Sequence, residues 1–356
     1  MPDATVLERL LASYSPSGRE GAAVREFGRI AEELGYRART DRVGNGIAEV
    51  GRGRPTVLFL GHIDTVEGDR PVVRSRGRVH GRGAVDAKGA LAAALLAGRG
   101  FAGPGTFRIV AAVGEETDSR GARHLARGAR PDAVIAGEPS GWDGVTIGYK
   151  GDLRLEATFE RPRTHWSSPF PTAIDTALAW VGAVRGKFVP GVVESPFRSL
   201  SMKVVGLSSD PAADPELARV LLDLRIPPGT STADVLANLP SATPRPRVRV
   251  LVRIEPTEVA RTDPVVGALC GAIRDAGGRP TLWRRSGTSD LNVVGRAWGV
   301  GGAAYGPGDS RLDHTSREVL SVTELARSAR VLRGTLERLV RPKADPPTLP
   351  RSAAAP

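Results

Sequence analysis

Three short apolar runs each end in a glycine and then, at once, in an acidic residue or a histidine. Residues 57–60 lead into Gly61-His62-Ile63-Asp64, residues 106–113 into Gly114-Glu115-Glu116-Thr117, and residues 134–136 into Gly137-Glu138-Pro139-Ser140. Runs of this length, bounded by glycine, read as buried strands. Between them lie stretches of helical spacing, such as the small-residue segment 89–98. Strands alternating with helices build an α/β layer around a central sheet. Sheets of that kind place their ligands just beyond the carboxyl ends of the strands. The pattern therefore predicts an α/β fold with its polar chemistry gathered along one sheet edge.

Helical spacing also marks 4–11 and 21–34, separated by the turn Ser15-Pro16-Ser17-Gly18. After Lys150-Gly151 the character changes. Residues 153–160 alternate like a half-exposed strand, 173–184 read as a helix, 200–205 and 220–226 as strands, 232–239 as a helix and 247–254 as a strand. Strand–helix–strand–strand–helix–strand is the order of a ferredoxin-like sandwich. Beyond Pro256 the α/β pattern resumes, with helices at 264–276 and 322–340. The division expected is a catalytic domain in two parts, 1–150 and 257–342, interrupted by an α+β domain at 151–256. A Pro- and Ala-rich tail at 343–356 is expected to be disordered.

Each polar cluster has two readings. In His62-Ile63-Asp64 on an extended segment both side chains share one face, so one can bind metal while the other orients it, or the pair simply makes a hydrogen-bonded turn. Asp86, in Gly81-Arg82-Gly83-Ala84-Val85-Asp86-Ala87-Lys88-Gly89, is either a helix cap or a carboxylate whose two oxygens bridge two metals. The adjacent Glu115 and Glu116 repel unless one binds a cation or carries a proton. That suggests a ligand beside a proton shuttle, with a solvated loop pair as the alternative. Glu138 is another carboxylate directly after a strand, and Leu312-Asp313-His314-Thr315 adds a late histidine. Together they supply a nitrogen-and-oxygen donor set for two sites joined by a carboxylate, with zinc favoured. Water held between two metals has a lowered pKa and can attack a carbonyl.

These motifs, read as GHIDTV, GRGAVDAKG, GEETDSRGA, GEPS and LDHT in order along nearly the whole chain, resemble the di-zinc peptidases and deacylases. That family includes acetylornithine deacetylase, succinyl-diaminopimelate desuccinylase, aminoacylase and the glutamate-releasing carboxypeptidases. The resemblance implies that His62, Asp86 and Glu138 hold one divalent ion and Asp86, Glu116 and His314 the other, as zinc with cobalt a substitute. It implies Glu115 as general base and acid, Asp64 as the group orienting His62, and a cis Asp86–Ala87 peptide. The inserted sandwich would be a lid and dimerisation domain. His165, in Thr164-His165-Trp166-Ser167-Ser168, would reach the partner subunit's site and stabilise the oxyanion. Arg225, in Asp223-Leu224-Arg225-Ile226-Pro227, would bind the substrate carboxylate. His80 and His124 match no ligand of the family.

A narrower resemblance rests on Gly137–Trp142, Ile147–Gly151, Ser286–Asn292 and Tyr305–Ser310. It points to the branch that releases lysine or ornithine from the C-terminal glutamate side chain of a small acidic amino-group carrier protein, LysW. A small-molecule N-acyl-amino-acid deacylase is the alternative, and a non-catalytic binding protein on the same fold is the alternative from another class. Charge bears on the choice. The formal net charge is +11, which either reflects an arginine-rich composition or serves an acidic partner. With no helix-turn-helix, zinc-finger or aromatic RNA-binding signature, nucleic acid is the weaker partner. No apolar run reaches membrane-spanning length, and the N-terminus lacks a signal-peptide pattern. The single cysteine, Cys270, permits no intrachain disulfide and fits buried packing in a reducing compartment. A cytoplasmic location is expected.

Overall fold

The computed structural model describes residues 1–193 and 195–341. The expected tail lies outside the described residues. Two sheets dominate, and they draw on different parts of the chain. The larger is a nine-stranded mixed sheet. At its centre Gly105–Ala112, Thr56–His62 and Ala133–Gly137 lie side by side and parallel. Those are the apolar runs read from the sequence, and their side chains are buried almost throughout because both faces are covered. Helices Asp3–Ala12, Gly21–Glu33, Lys88–Gly98, Pro264–Asp275 and Val322–Val340 cover one face. Arg120–Leu125 and Asp290–Trp298 cover the other. Lys88–Gly98 is buried on every side, which its Ala- and Gly-rich sequence allows. Cys270 is buried in Pro264–Asp275.

The smaller sheet has four antiparallel strands: Ser201–Asp210, Glu216–Ile226, Gly151–Arg161 and Arg247–Ile254, in that spatial order. With helices Ala173–Phe188 and Thr232–Ala237 this is the ferredoxin-like arrangement. Leu153, Leu155, Phe159, Leu222 and Leu224 on its inner face pack against Trp180 and Val184 of the longer helix. A capping box between Thr172 and Asp175 starts that helix. Connection to the larger sheet is tight. Only Lys150 separates strand Gly144–Tyr149 from strand Gly151–Arg161. At Gly151 a Cβ would collide with the carbonyl oxygen of Ile254 on the returning strand, so the crossing requires glycine. The Asn292 amide then fastens both connections, donating to the carbonyls of Lys150 (3.1 Å) and Glu255 (2.8 Å).

Several elements went unread in the sequence. Arg37–Thr40 is a polar, exposed edge strand, and Val73–Ser75 with Arg78–His80 form a short hairpin paired to Val319–Ser321. The first has no buried residue, and the strands of the second are three residues long with one buried side chain at most, Val79 or Leu320, too little for a pattern to reveal. No helix among the described residues is long and apolar enough to cross a membrane.

Candidate metal centre

The three parallel strands at the sheet centre deliver their carboxyl ends to one edge. His62 closes Thr56–His62. Glu115 and Glu116 follow Gly105–Ala112 on one side, and Glu138 follows Ala133–Gly137 on the other. Asp86 arrives from the turn before helix Lys88–Gly98, through a cis Asp86–Ala87 peptide. That turn is held from below by buried Glu318. It pairs with Arg82 and accepts the Gly83 amide at 2.8 Å. His314 comes from the distant loop after the short 3-10 turn Ser310–Leu312, with φ of 62°. A left-handed conformation costs a non-glycine residue about 1–3 kcal/mol and is kept where the surroundings demand it.

What the demand is can be read from the distances. His62 Nε2 lies 3.0 Å from Asp86 Oδ1, and His314 Nε2 lies 3.1 Å from Asp86 Oδ2 and 3.0 Å from Glu116 Oε1. Asp86 thus turns one oxygen to each histidine. Donor atoms of His62, Asp86 and Glu138 fall within 4.8 Å of one another, and so do those of Asp86, Glu116 and His314. The two groups match the two ligand sets implied by the motifs and share Asp86. Burial with the neighbouring negative charges of Asp290, Glu116 and Asp86 pushes the Glu115 carboxyl well above its ordinary range. Burial and Glu115 do the same to Glu138. Burial alone would drive His62 down, but Asp86, Glu115 and Asp64 hold it well above its usual value. So much carboxylate in so little water calls for cationic charge. The mixed nitrogen and oxygen donors suit divalent ions.

Asp64 does more than its motif suggested. His62 Nδ1 is 2.9 Å from the Asp64 backbone oxygen and 3.7 Å from its carboxylate. The carboxylate instead accepts the backbone amides of Glu115 and Glu116, each at 3.1 Å, and the Ser17 hydroxyl at 2.7 Å. One residue thereby fixes a histidine and both glutamates.

Glu115 belongs to neither donor cluster and faces a cavity of about 390 Å³. The cavity runs from Asp86, Glu116, Glu138 and His314 to the four-stranded sheet, where Asp152, Arg154, Arg225 and Ile254 line it. Arg225 is already engaged there. It stands opposite Asp152 in the sheet, and Asp223 opposite Arg154. The guanidinium of Arg225 makes a bidentate contact with Asp223 (2.9 Å twice) and lies 3.5 Å from Asp152. Arg154 completes the square at 3.0 Å from Asp152 and 3.5 Å from Asp223. Asp223 takes its Nε and one Nη2 hydrogen, which leaves Nη1, near Asp152, with hydrogens for a further acceptor.

His165 is elsewhere. It is exposed, its Nδ1 2.8 Å from the Ser167 hydroxyl, in a loop where Trp166 is 86% and Phe170 65% exposed. Within one chain the structure does not bring it to the centre. His124 lies 3.9 Å from Asp41 and His80 is in the peripheral hairpin, both away from the donor clusters. Sequence reasoning missed Arg285, Asp152 and Arg154 among the cavity residues. Arg285 directly precedes the quoted Ser286-Gly287-Thr288 segment, so a cation at a strand end was the available signal.

The sequence profile of peptidase family M20/M25/M40 matches residues 58–338. A LysW-lysine hydrolase of Deinococcus radiodurans is 35% identical over 374 residues, covering 95% of this chain and 98% of the relative. A Thermococcus kodakarensis protein named for both LysW-lysine and LysW-ornithine is 37% identical over 334 residues, covering 94% and 91%. Among solved structures, the M20 family metallo-carboxypeptidase Sso-CP2 of Sulfolobus solfataricus superposes with a TM-score of 0.77 at 16% identity, covering 95% of this chain and 99% of the other. That last likeness is one of fold.

Proposed function

Given that the chain belongs to peptidase family M20/M25/M40 and is a metal-dependent hydrolase acting on an amide, we propose that it releases lysine or ornithine from the C-terminal glutamate of an acidic LysW-type carrier protein. The reaction would serve lysine or arginine biosynthesis. The observation that carries the chemistry is the pair of donor clusters sharing Asp86 beside a glutamate that belongs to neither. The substrate rests on relatives named for it that align over nearly the whole chain. A release assay with the carrier conjugate and with Nα-acetyl-lysine tests it. Turnover of the acetyl compound alone would favour a small-molecule deacylase, and turnover of neither a binding protein.

We assign His62, Asp86 and Glu138 to one divalent ion and Asp86, Glu116 and His314 to the second, zinc in both with cobalt a functional substitute. When bound, such a pair supplies Lewis acidity toward the amide carbonyl and lowers the pKa of water between them. The remaining work falls to the chain. Glu115 takes a proton from the attacking water and returns it to the leaving α-amine, the two steps of a general base and acid. Asp64 keeps Glu115 and His62 in register through the contacts described above.

The segment 151–256 would act as lid and dimerisation domain, flanked by catalytic parts 1–150 and 257–342. Its edge strand Ser201–Asp210 exposes Val204, Val205 and Leu207, and helix Ala173–Phe188 exposes Leu178. An exposed apolar edge of this kind is one that proteins cover. A second copy of the chain would cover it and carry His165 to its partner's site, where it would hold the oxyanion. His165→Ala should then lower kcat while metal content stays unchanged. Mixing His165→Ala with Glu115→Ala chains should recover part of the activity, because one of the two sites in a mixed dimer receives both intact residues. Failure to recover any turnover would argue against action between subunits.

A chain of net charge +11 acting on an acidic carrier should be steered to it. Exposed charges are screened over about 8 Å at physiological ionic strength. Thus kcat/KM for the carrier conjugate should fall steeply from low to high salt, while that for Nα-acetyl-lysine changes little. Equal salt dependence of the two would remove the steering argument.

A further inference from the structure

Three arginines line the cavity beside the donor clusters, and two of them are committed. Arg154 and Arg225 are balanced by Asp152 and Asp223 in the square described above, a set of two cations and two anions on one face of the lid sheet. Arg285 differs. Among the described residues its side chain makes no ion pair and no hydrogen bond, and its guanidinium carbon lies 5.6 Å from the centre of the Trp283 ring. Two acids stand close enough to feel its charge: Asp309 makes a bidentate contact with Arg311 at 3.0 and 2.7 Å, and Asp313 on the cavity wall does not pair with it.

The backbone of Arg285 is fixed by the sheet. It ends strand Thr281–Arg285, which runs parallel to Gly144–Tyr149 and sets Arg285 opposite Tyr149. Its carbonyl accepts the Lys150 amide at 3.1 Å. The next residues, Ser286, Gly287 and Thr288, line the cavity with little bulk before Ser289 caps helix Asp290–Trp298. An uncommitted guanidinium is therefore held on the same sheet as Glu138 and His62, at the edge of open space. Unlike Arg225, it brings no ion pair of its own to that space, and it stands on the nine-stranded sheet rather than the four-stranded one.

We propose that Arg285 is a further specificity residue, which receives a substrate carboxylate beside the scissile amide in addition to any bound by Arg225. A planar fork of donors suits a carboxylate. This rests on the proposed reaction, whose substrate has two candidate carboxylates: that of the released amino acid and the C-terminal one of the carrier glutamate.

The test uses the metal-loaded enzyme and three small amides. Nα-γ-glutamyl-lysine retains both carboxylates, γ-glutamyl-cadaverine lacks the lysine one, and Nα-(4-aminobutanoyl)-lysine lacks the glutamyl one. Arg285→Ala should lose about 10²-fold in kcat/KM on the first, mostly through KM, the size expected when one member of a desolvated charge pair is removed. On whichever analogue lacks the bound carboxylate, the wild type should suffer a similar loss and the variant no further one, which identifies the carboxylate. Arg285→Lys should recover part of the activity, and thermal unfolding reports whether the variants are folded. Arg285→Ala acting like wild type on Nα-γ-glutamyl-lysine, or losing equally on all three compounds, would overturn the proposal. Should the wild type cleave only Nα-acetyl-lysine, the carrier reading fails by itself. Nα-acetyl-lysine against N-acetyl-cadaverine then tests Arg285 independently.

Discussion

Glu115→Gln should bind two divalent ions and unfold at nearly the wild-type temperature, yet turn over substrate about 10²–10⁴-fold more slowly, the usual cost of a removed general base. The expectation follows from position. Glu115 lies outside both donor clusters, so metal binding does not depend on it. Its backbone amide, which donates to Asp64, survives the substitution, so the loop that also presents Glu116 is kept. Glutamine has the same shape but cannot accept a proton and pass it on. Metal analysis, thermal unfolding and single-turnover rates check the three parts. A rate within tenfold of wild type would mean that another group moves the proton.

Asp86→Ala should be more damaging, because it removes donors from both clusters at once. His62 and His314 each lose their nearest carboxylate oxygen, at 3.0 and 3.1 Å. Metal content should fall from two ions per chain to less than one. A bound ion contributes several kcal/mol to the transition state, so turnover should drop by on the order of 10³-fold or more. Added zinc or cobalt should raise the unfolding temperature of the wild type and barely affect that of the variant. Full metal content in Asp86→Ala would show that the clusters fill independently and that Asp86 joins nothing.

The sequence disclosed the centre more fully than the cavity around it, and the difference is physical. Each candidate ligand but one lies at or just beyond the end of a buried strand, or just before a buried helix, with glycine and an apolar run nearby. Local pattern was therefore enough to mark His62, Asp86, Glu115, Glu116 and Glu138 as candidates, and the resemblance sorted them into two sets. His314 sits in an irregular loop, and only the resemblance assigned it a partner. The ferredoxin-like order was legible because its strands bury one face and alternate accordingly. The ion pairs of that sheet were not legible. Asp223 and Arg225 are two residues apart, but Asp152 and Arg154 meet them only through strand pairing. Nor could periodicity find Thr281–Arg285, which is half-exposed and ends in two arginines. The contact between His62 and the Asp64 backbone oxygen also lay beyond reach, since His-x-Asp spacing gives proximity without saying which oxygen is used.

The centre also has a bearing on how the chain holds together. His314 and Glu116 meet at 3.0 Å although 198 residues separate them in sequence, and the entire four-stranded sheet is formed by chain lying between them. Closing a loop of that length carries an entropic cost that rises only with the logarithm of length. A ligand bound solely by the closed state offsets it by about 2.7 kcal/mol at a hundred times its dissociation constant. A chain that has not yet added its last segment possesses one donor cluster and two of the three donors of the other. Bound metal would therefore reward completion of the polypeptide, and its depletion should loosen the closing segment around His314 before it disturbs the sheet.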